Sequence, residues 1–389
     1  MGFSQGLSGL NAASDNLDVI GNNVANQSTV GFKSGTATFS DVFASSRVGL
    51  GVQVTGVTQS FSTGDISSTG NELDMAIDGS SGFFRMEDTD GSVLYTRNGE
   101  FTKNSSNEIV NAQGQKLTGF APGSVGSDPV VLTVPTGTSA PQATTSVDVS
   151  SGTLDADAEP ITENFDPTDS TTYSSMTQTT VYDSLGSAHT LSQYYVKTDT
   201  ANQWNVHYLL DGDAATAQTS SLTFATNGQL TSPTAPVTLT YDLESATDLA
   251  IEFDYGDKMT QYAGESSITA SQDGYAIGQY SALEIASDGT LYATYTNGQR
   301  EAFGIVALAS FSNPSGLQPE GGNAWSETSS SGAPSLGQPG SNNLASIVGQ
   351  SVESSNVDVN EELVNLIIAQ RVYQANSQTI KTQDNILQT

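Results

Sequence analysis

Cysteine is absent, and with it go disulfides, thiolate metal sites and cysteine nucleophiles. Bases are scarce: 11 lysines and arginines stand against 42 acids, for a formal charge of −31. That balance excludes a nucleic-acid face, which needs clustered Lys and Arg. The same excess keeps a monomer soluble and opposes random association, so assembly has to rest on specific contacts and is favoured by salt. No stretch reaches the ~18 apolar residues of a membrane span, and no membrane insertion is expected. The opening MGFSQGLSGLNAASDNL has neither a basic n-region nor a continuous apolar h-region, so no cleavable signal peptide is expected either. Charged residues make up only 14% of the chain and hydrophobic ones 36%. The polarity therefore comes from Ser, Thr, Asn, Gln and Gly, as in β-rich, turn-rich secreted and surface domains.

Signals of catalysis are missing too. There is no GxGxxG, P-loop, HExxH or GxSxG pattern. The two histidines, His189 and His207, fall in alternating strand patterns and read as structural or exposed. Asp88-Thr89-Asp90-Gly91 lacks the third ligand position and the closing Glu of a calcium loop, and reads as a hairpin turn. Asp254 and Asp257 read as solvated turn carboxylates. The expectation is a non-enzyme without metal or cofactor.

What the chain does have is two unusual ends. Residues 357–389 contain no proline and no glycine. Leu366, Tyr373, Ile380 and Leu387 stand seven apart, and Val359, Leu363, Gln370, Ser377 and Asp384 complete a 3-4 spacing. This predicts an a/d stripe on a helix of about 30 residues, or roughly 45 Å. Leu7, Leu10, Ser14, Leu17, Gly21 and Val24 repeat the spacing at the other end, where Ala12, Ala13, Ser14 and Gly21 permit close helix approach. Two long, thinly striped helices suggest an antiparallel pair whose missing burial is supplied by neighbouring copies.

Between the ends the chain reads as β. Residues 34–71 look like an extended connector with short strands. From 72, alternating Leu73, Met75 and Ile77 lead into Asp-Gly and Asn-Gly turns at hairpin spacing, and the same texture returns after 267. Residues 142–266, whose only bases are Lys197 and Lys258, form an acidic inserted β-barrel or sandwich with strands near 179–182, 191–197, 204–210, 237–241 and 249–253. Residues 316–343 look like a Gly/Ser/Pro-rich connector. The expected architecture is mainly β with long terminal α-helices, nested and elongated: 1–33 with 350–389, connector 34–71, a discontinuous β-domain of 72–141 with 267–349, and the insertion at 142–266.

The two ends together carry a resemblance. ANQSTVGFK at 25–33 is similar to the Asn-rich, Gly-Phe-Lys signature of the flagellar rod and hook axial proteins, and 355–387 to their C-terminal signature. NELDMAIDGSSGFF at 71–84, YTRNGEF at 95–101 and FGIVALASFSNPSGL at 303–317 agree as well. Size and insertion resemble the hook-forming members; distal-rod relatives are shorter and lack such an insertion. The resemblance implies a homopolymeric, curved helical tube that acts as a flexible joint between rod and filament. It implies partners in the distal rod, the hook cap, the hook–filament junction and the flagellar type III export apparatus, and an extracellular place in the hook. Residue by residue, it implies that Leu7, Leu10, Leu17 and Val24 pair with Leu363, Leu366, Tyr373, Ile380 and Leu387. Asn22, Asn23, Asn26, Gly31, Phe32 and Lys33 would shape the turn after the first helix; Val30 stands where relatives often carry Pro. A distal-rod protein is the near alternative. A secreted acidic binding protein or adhesin fits the acidity but leaves the paired helices unexplained. A surface hydrolase would need an aromatic cleft at Trp204 or Trp325, for which no motif speaks.

Overall fold

Strand-forming alternation dominates the interior of the chain, and helix-forming sequence is confined to its ends. The computed structural model describes residues 3–42, 49–244 and 246–387, without the side chains of Phe3, Ile386 and Leu387. Helix α1 runs Phe3–Ala25 and helix α2 Val359–Leu387. The chain divides into two compact units. The first is Met1–Thr136 with Ser281–Thr294 and Arg300–Thr389; the second is Gly137–Tyr280 with Tyr295–Gln299.

In the first unit, the strand Phe83–Glu87 lies inside a sheet. It pairs antiparallel with Val93–Thr96 on one side, and with Lys116–Phe120 and Leu308–Ser310 on the other. Its aromatic core brings Phe83, Tyr95, Phe311 and Trp325 together with Phe61 in edge-to-face contacts 4.8–5.9 Å between centroids. Trp325 corrects the connector expected at 316–343. Short strands Gln318–Gly321 and Ala324–Ser326 pair there, and the indole is buried with its Nε1 donating to Gln59 Oε1 at 2.7 Å. Within the expected connector at 34–71, the strands are longer than expected and pair with each other. Strands β1 (Gly35–Val42) and β2 (Gly51–Gln59) form an antiparallel ribbon laid on α1, where Gln5 Nε2 donates to Gly49 O and the Val52 amide to Ser8 Oγ. Gly51 permits this close approach, since a Cβ there would collide with the Ser8 side chain of α1.

The second unit is a β-sandwich. One sheet is an antiparallel meander through Ser175–Tyr182, Ala188–Lys197, Gln203–Leu210, Gln218–Phe224 and Leu230–Ser232. The other is built on Ser146–Asp155, which pairs with three strands. Period-two alternation explains the packing: Trp204, Val206, Tyr208 and Leu210 point into the core, while Asn205 and His207 point away. Two polar pairs are satisfied within this core: Trp204 Nε1 donates to Gln261 Oε1, and the Tyr208 and Tyr255 hydroxyls lie 2.6 Å apart.

The second unit also holds a histidine clasp. His189 Nδ1 lies 2.7 Å from Asp211 Oδ2, and its Nε2 lies 3.5 Å from the buried Asp183. Burial alone lowers this imidazole, but the two carboxylates outweigh burial and its pKa lies above the ordinary 6.5. A raised folded pKa means that this contribution is complete below 6.5 and fades as pH rises through the folded value. Thermal melts of the chain should therefore show the second unit losing stability across the window just above pH 6.5. His189→Gln should remove that slope while leaving the first unit's transition unchanged.

Candidate assembly site of the terminal helices

The helix pair begins with a turn that only glycine can make. Gly31 has φ +69°, and a Cβ there would sit 2.5 Å from the Asn98 amide. Its own amide donates to Glu353 O at 2.7 Å, tying the exit of α1 to the strand Ser351–Glu353 that precedes α2. Before it, Asn26 folds back on Asn22, donating from Nδ2 to Asn22 O and Oδ1, while Thr29 Oγ1 donates to Asn26 Oδ1. Phe32 is buried, and Val30 O accepts from Asn323 Nδ2 at 2.9 Å.

Lys33 then enters a buried ionic centre. Its Nζ donates to Glu353 Oε1 at 2.6 Å and to Ser62 O at 2.7 Å. Arg97 Nη1 reaches Glu353 Oε2 at 3.2 Å and Gly79 O at 2.8 Å, and all three side chains are fully shielded from solvent. Burial pushes both cations below their ordinary pKa values, and the Glu353 charge opposes it. Asn356 closes the arrangement, accepting from the Ser34 amide and donating to Ser60 O, both at 2.8 Å.

Beyond this root, α1 and α2 run antiparallel. Added Cβ atoms at Gly6 and Gly9 would meet Ile380 and Asn376, and Asn23 Nδ2 donates to Glu362 Oε1 at 2.8 Å. Asn23 also exchanges hydrogen bonds with Gly35, so a single buried amide holds α1, α2 and β1 together. Asp358 caps α2 by accepting from the Asn360 amide, and Glu361 and Glu362 in the first turn suit the positive end of the helix dipole.

The facing residues differ from the expected apolar stripe. Gly9, Ala12, Ala13 and Asn16 of α1 and Ala369 and Val372 of α2 line the contact, bordering a groove of about 690 Å³ beneath the β1–β2 ribbon. Of the expected residues, Ile380 touches the partner helix at Gly6. Leu10, Leu17, Val24 and Leu366 are half-buried, Leu7, Leu363 and Tyr373 are exposed, and Leu387 has a side chain outside the described residues. Leu7, Leu363 and Tyr373 therefore present large exposed surfaces, while Leu10, Leu17, Val24 and Leu366 are partly covered. Small residues at Gly6, Gly9, Ala12, Ala13 and Ala369 let the helices approach, with Val19, Ile20 and Ile368 bordering the groove beside them and Leu7, Leu363, Val364 and Ile367 exposed.

Two partners escaped the sequence: Glu353 and Arg97. Arg97 lies inside the quoted YTRNGEF run, and Glu353 follows a Ser-Val pair that gives no signal. Among the described residues no group of three His, Cys, Asp or Glu side chains is placed to hold a metal ion.

These elements define an axial-filament class of protein. Family models match at 5–33 (flagella basal body rod protein), 76–155 (flagellar hook protein FlgE/F/G D1 domain), 153–275 (flagellar basal body protein FlaE D2 domain) and 348–389 (flagellar basal body rod FlgEFG protein C-terminal). Flagellar hook protein FlgE of Salmonella typhimurium strain LT2 is 43% identical over 400 residues, covering 100% of this chain and 99% of the relative. The Escherichia coli K12 protein of the same name is 42% identical over 401 residues, with the same coverage. The chain belongs to the flagellar hook protein FlgE family, a structural family of the flagellum. A crystal structure of Helicobacter pylori flagellar hook protein FlgE2 shares the fold, with a TM-score of 0.53 at 14% identity over 74% of this chain and all of that one.

Removing one member of the buried ionic centre strands the others. Glu353→Gln should lower the stability of the first unit by about 3–5 kcal/mol in urea unfolding, with the second unit's transition unmoved.

Proposed function

We propose that this hook subunit polymerises through its terminal helices into a curved tube that serves as a flexible joint, passing motor torque from rod to filament. Residues 1–33 and 350–389 form the assembly segment, 72–141 with 267–349 a β-domain on it, and 142–266 the inserted domain. The observation that carries this reading is the outward turn of the large apolar side chains. Leu363, Val364 and Ile367 are between 44% and 56% exposed, on a helix that meets its own partner largely through small and polar groups such as Ala369 and Asn376. Apolar burial is worth ~25 cal/mol per Å², so covering this stripe is a strong drive for association. The second unit supports the flexible half of the function. Its surface is polar, with lysines only at 197 and 258, so contacts between copies are wet, weak and readily remade. Distal rod, hook cap, hook–filament junction and the type III export apparatus are the partners such a subunit meets, and its place is outside the cell.

Negative-stain electron microscopy of the purified chain under salting-out conditions tests this. Tubes are expected from the full chain and none from a version lacking residues 1–28 and 359–389; tubes from both would move the assembly contacts into the β-domains. Leu363→Asp in the full chain should likewise abolish tubes without shifting the melting of either unit, since that side chain is exposed in the monomer.

A further inference from the structure

The helix pair distributes its charge by helix. The charged residues of α1 are Asp15 and Asp18, both exposed. The bases of α2 are Arg371 and Lys381, also exposed, whereas its acids Glu361 and Glu362 lie in the first turn and Asp384 near the last. Among the described residues none of Asp15, Asp18, Arg371 and Lys381 forms an ion pair. In a chain with only 11 bases and a net charge of −31, two free cations on one helix are a specific feature.

Their positions are specific too. The contacts of Gly6 with Ile380, Gly9 with Asn376 and Asn23 with Glu362 fix the antiparallel register, and that register sets Asp15 level with Arg371. By helical periodicity, however, Asp18 and Arg371 lie on the faces turned away from the seam. Arg371 continues the exposed stripe of Leu363, Val364 and Ile367, and Asp18 the exposed stripe that begins at Leu7. The acid stripe and the base stripe of one chain therefore face in opposite directions.

We propose that the outer stripe of α1, with Leu7, Asp15 and Asp18, docks on the outer stripe of α2, with Leu363, Ile367 and Arg371, of a second copy of this chain. The inference rests on the polymer reading above and names the surfaces that meet. Charge chooses the pairing: α1 against α1 opposes carboxylates, α2 against α2 opposes cations, and only α1 against α2 joins opposite signs while covering the apolar residues. Because the two surfaces are different, the contact is head-to-tail and leaves one of each unused at the ends of any assembly. It propagates, where a contact between identical surfaces would stop at a dimer.

Charge reversal tests this in the full chain. Arg371→Asp alone, and Asp15→Arg with Asp18→Arg, should each raise the critical concentration for tube formation about tenfold or more, read by sedimentation and electron microscopy. The triple variant, with both surfaces reversed, should bring it back to near the parent's value. Reversals without effect, or a triple variant as defective as the others, would overturn the proposed docking while the parent's tubes uphold the polymer reading. A parent that forms no tubes would overturn both. Dilute monomers of all variants should keep the parent's helical circular dichroism, because the three positions are exposed.

Discussion

One carboxylate holds the architecture together. Glu353 is sealed from water and compensated by a lysine that has just left α1 and an arginine from the β-sheet of the same unit. A buried ion pair is a poor source of net stability, because desolvation consumes most of the Coulombic gain. Its strength here is selectivity. Arg97 Nε and Nη2 are buried without a hydrogen-bond partner, and Nη1 alone reaches Glu353 and Gly79 O, so Glu353 is the acid that balances this buried guanidinium. No neutral or shifted packing of the Gly31–Lys33 turn satisfies all three charges, and the roots of both terminal helices are fixed relative to the sheet as a result.

The helix pair that grows from this root is inverted relative to an ordinary two-helix hairpin. Glycine, alanine and asparagine make much of the contact between the helices, while Leu7, Leu363, Val364 and Ile367 stand exposed outside it. Small residues allow close approach but bury little area, so the pair is held by geometry and by the Asn23 hydrogen bonds more than by apolar transfer. Each large side chain left outside withholds roughly 1.5–3 kcal/mol until something covers it. Folding of the single chain and association between chains thus draw on different sets of residues.

The sequence made much of this legible. Strands of the second unit showed as alternation, since a half-buried strand must alternate; Val237–Tyr241 matches its expected range, and Ser175–Tyr182 merely starts earlier. The helices showed through a 3-4 spacing uninterrupted by proline. The small residues of the seam are harder to see, because Ala12, Ala13 and Ala369 are buried but carry too little hydrophobicity to stand out beside leucine. Trp325 was hidden by the Gly and Ser around it. The ionic centre was hidden because its members are distant in sequence, although a chain so poor in bases gives each lysine individual weight.

The ionic root also has a mechanical consequence. It grips the helix pair where α1 ends and α2 begins, while the opposite ends, near residues 3 and 387, lie a full helix length away. A helix of 29 residues is a rod of about 43 Å. Fastened at one end, it behaves as a cantilever: a sideways load at the tip produces its greatest bending moment at the clamp. The stiffest and driest contacts of the first unit therefore stand where the leverage is largest, and the compliant, solvent-facing ones stand where a displacement demands the least force.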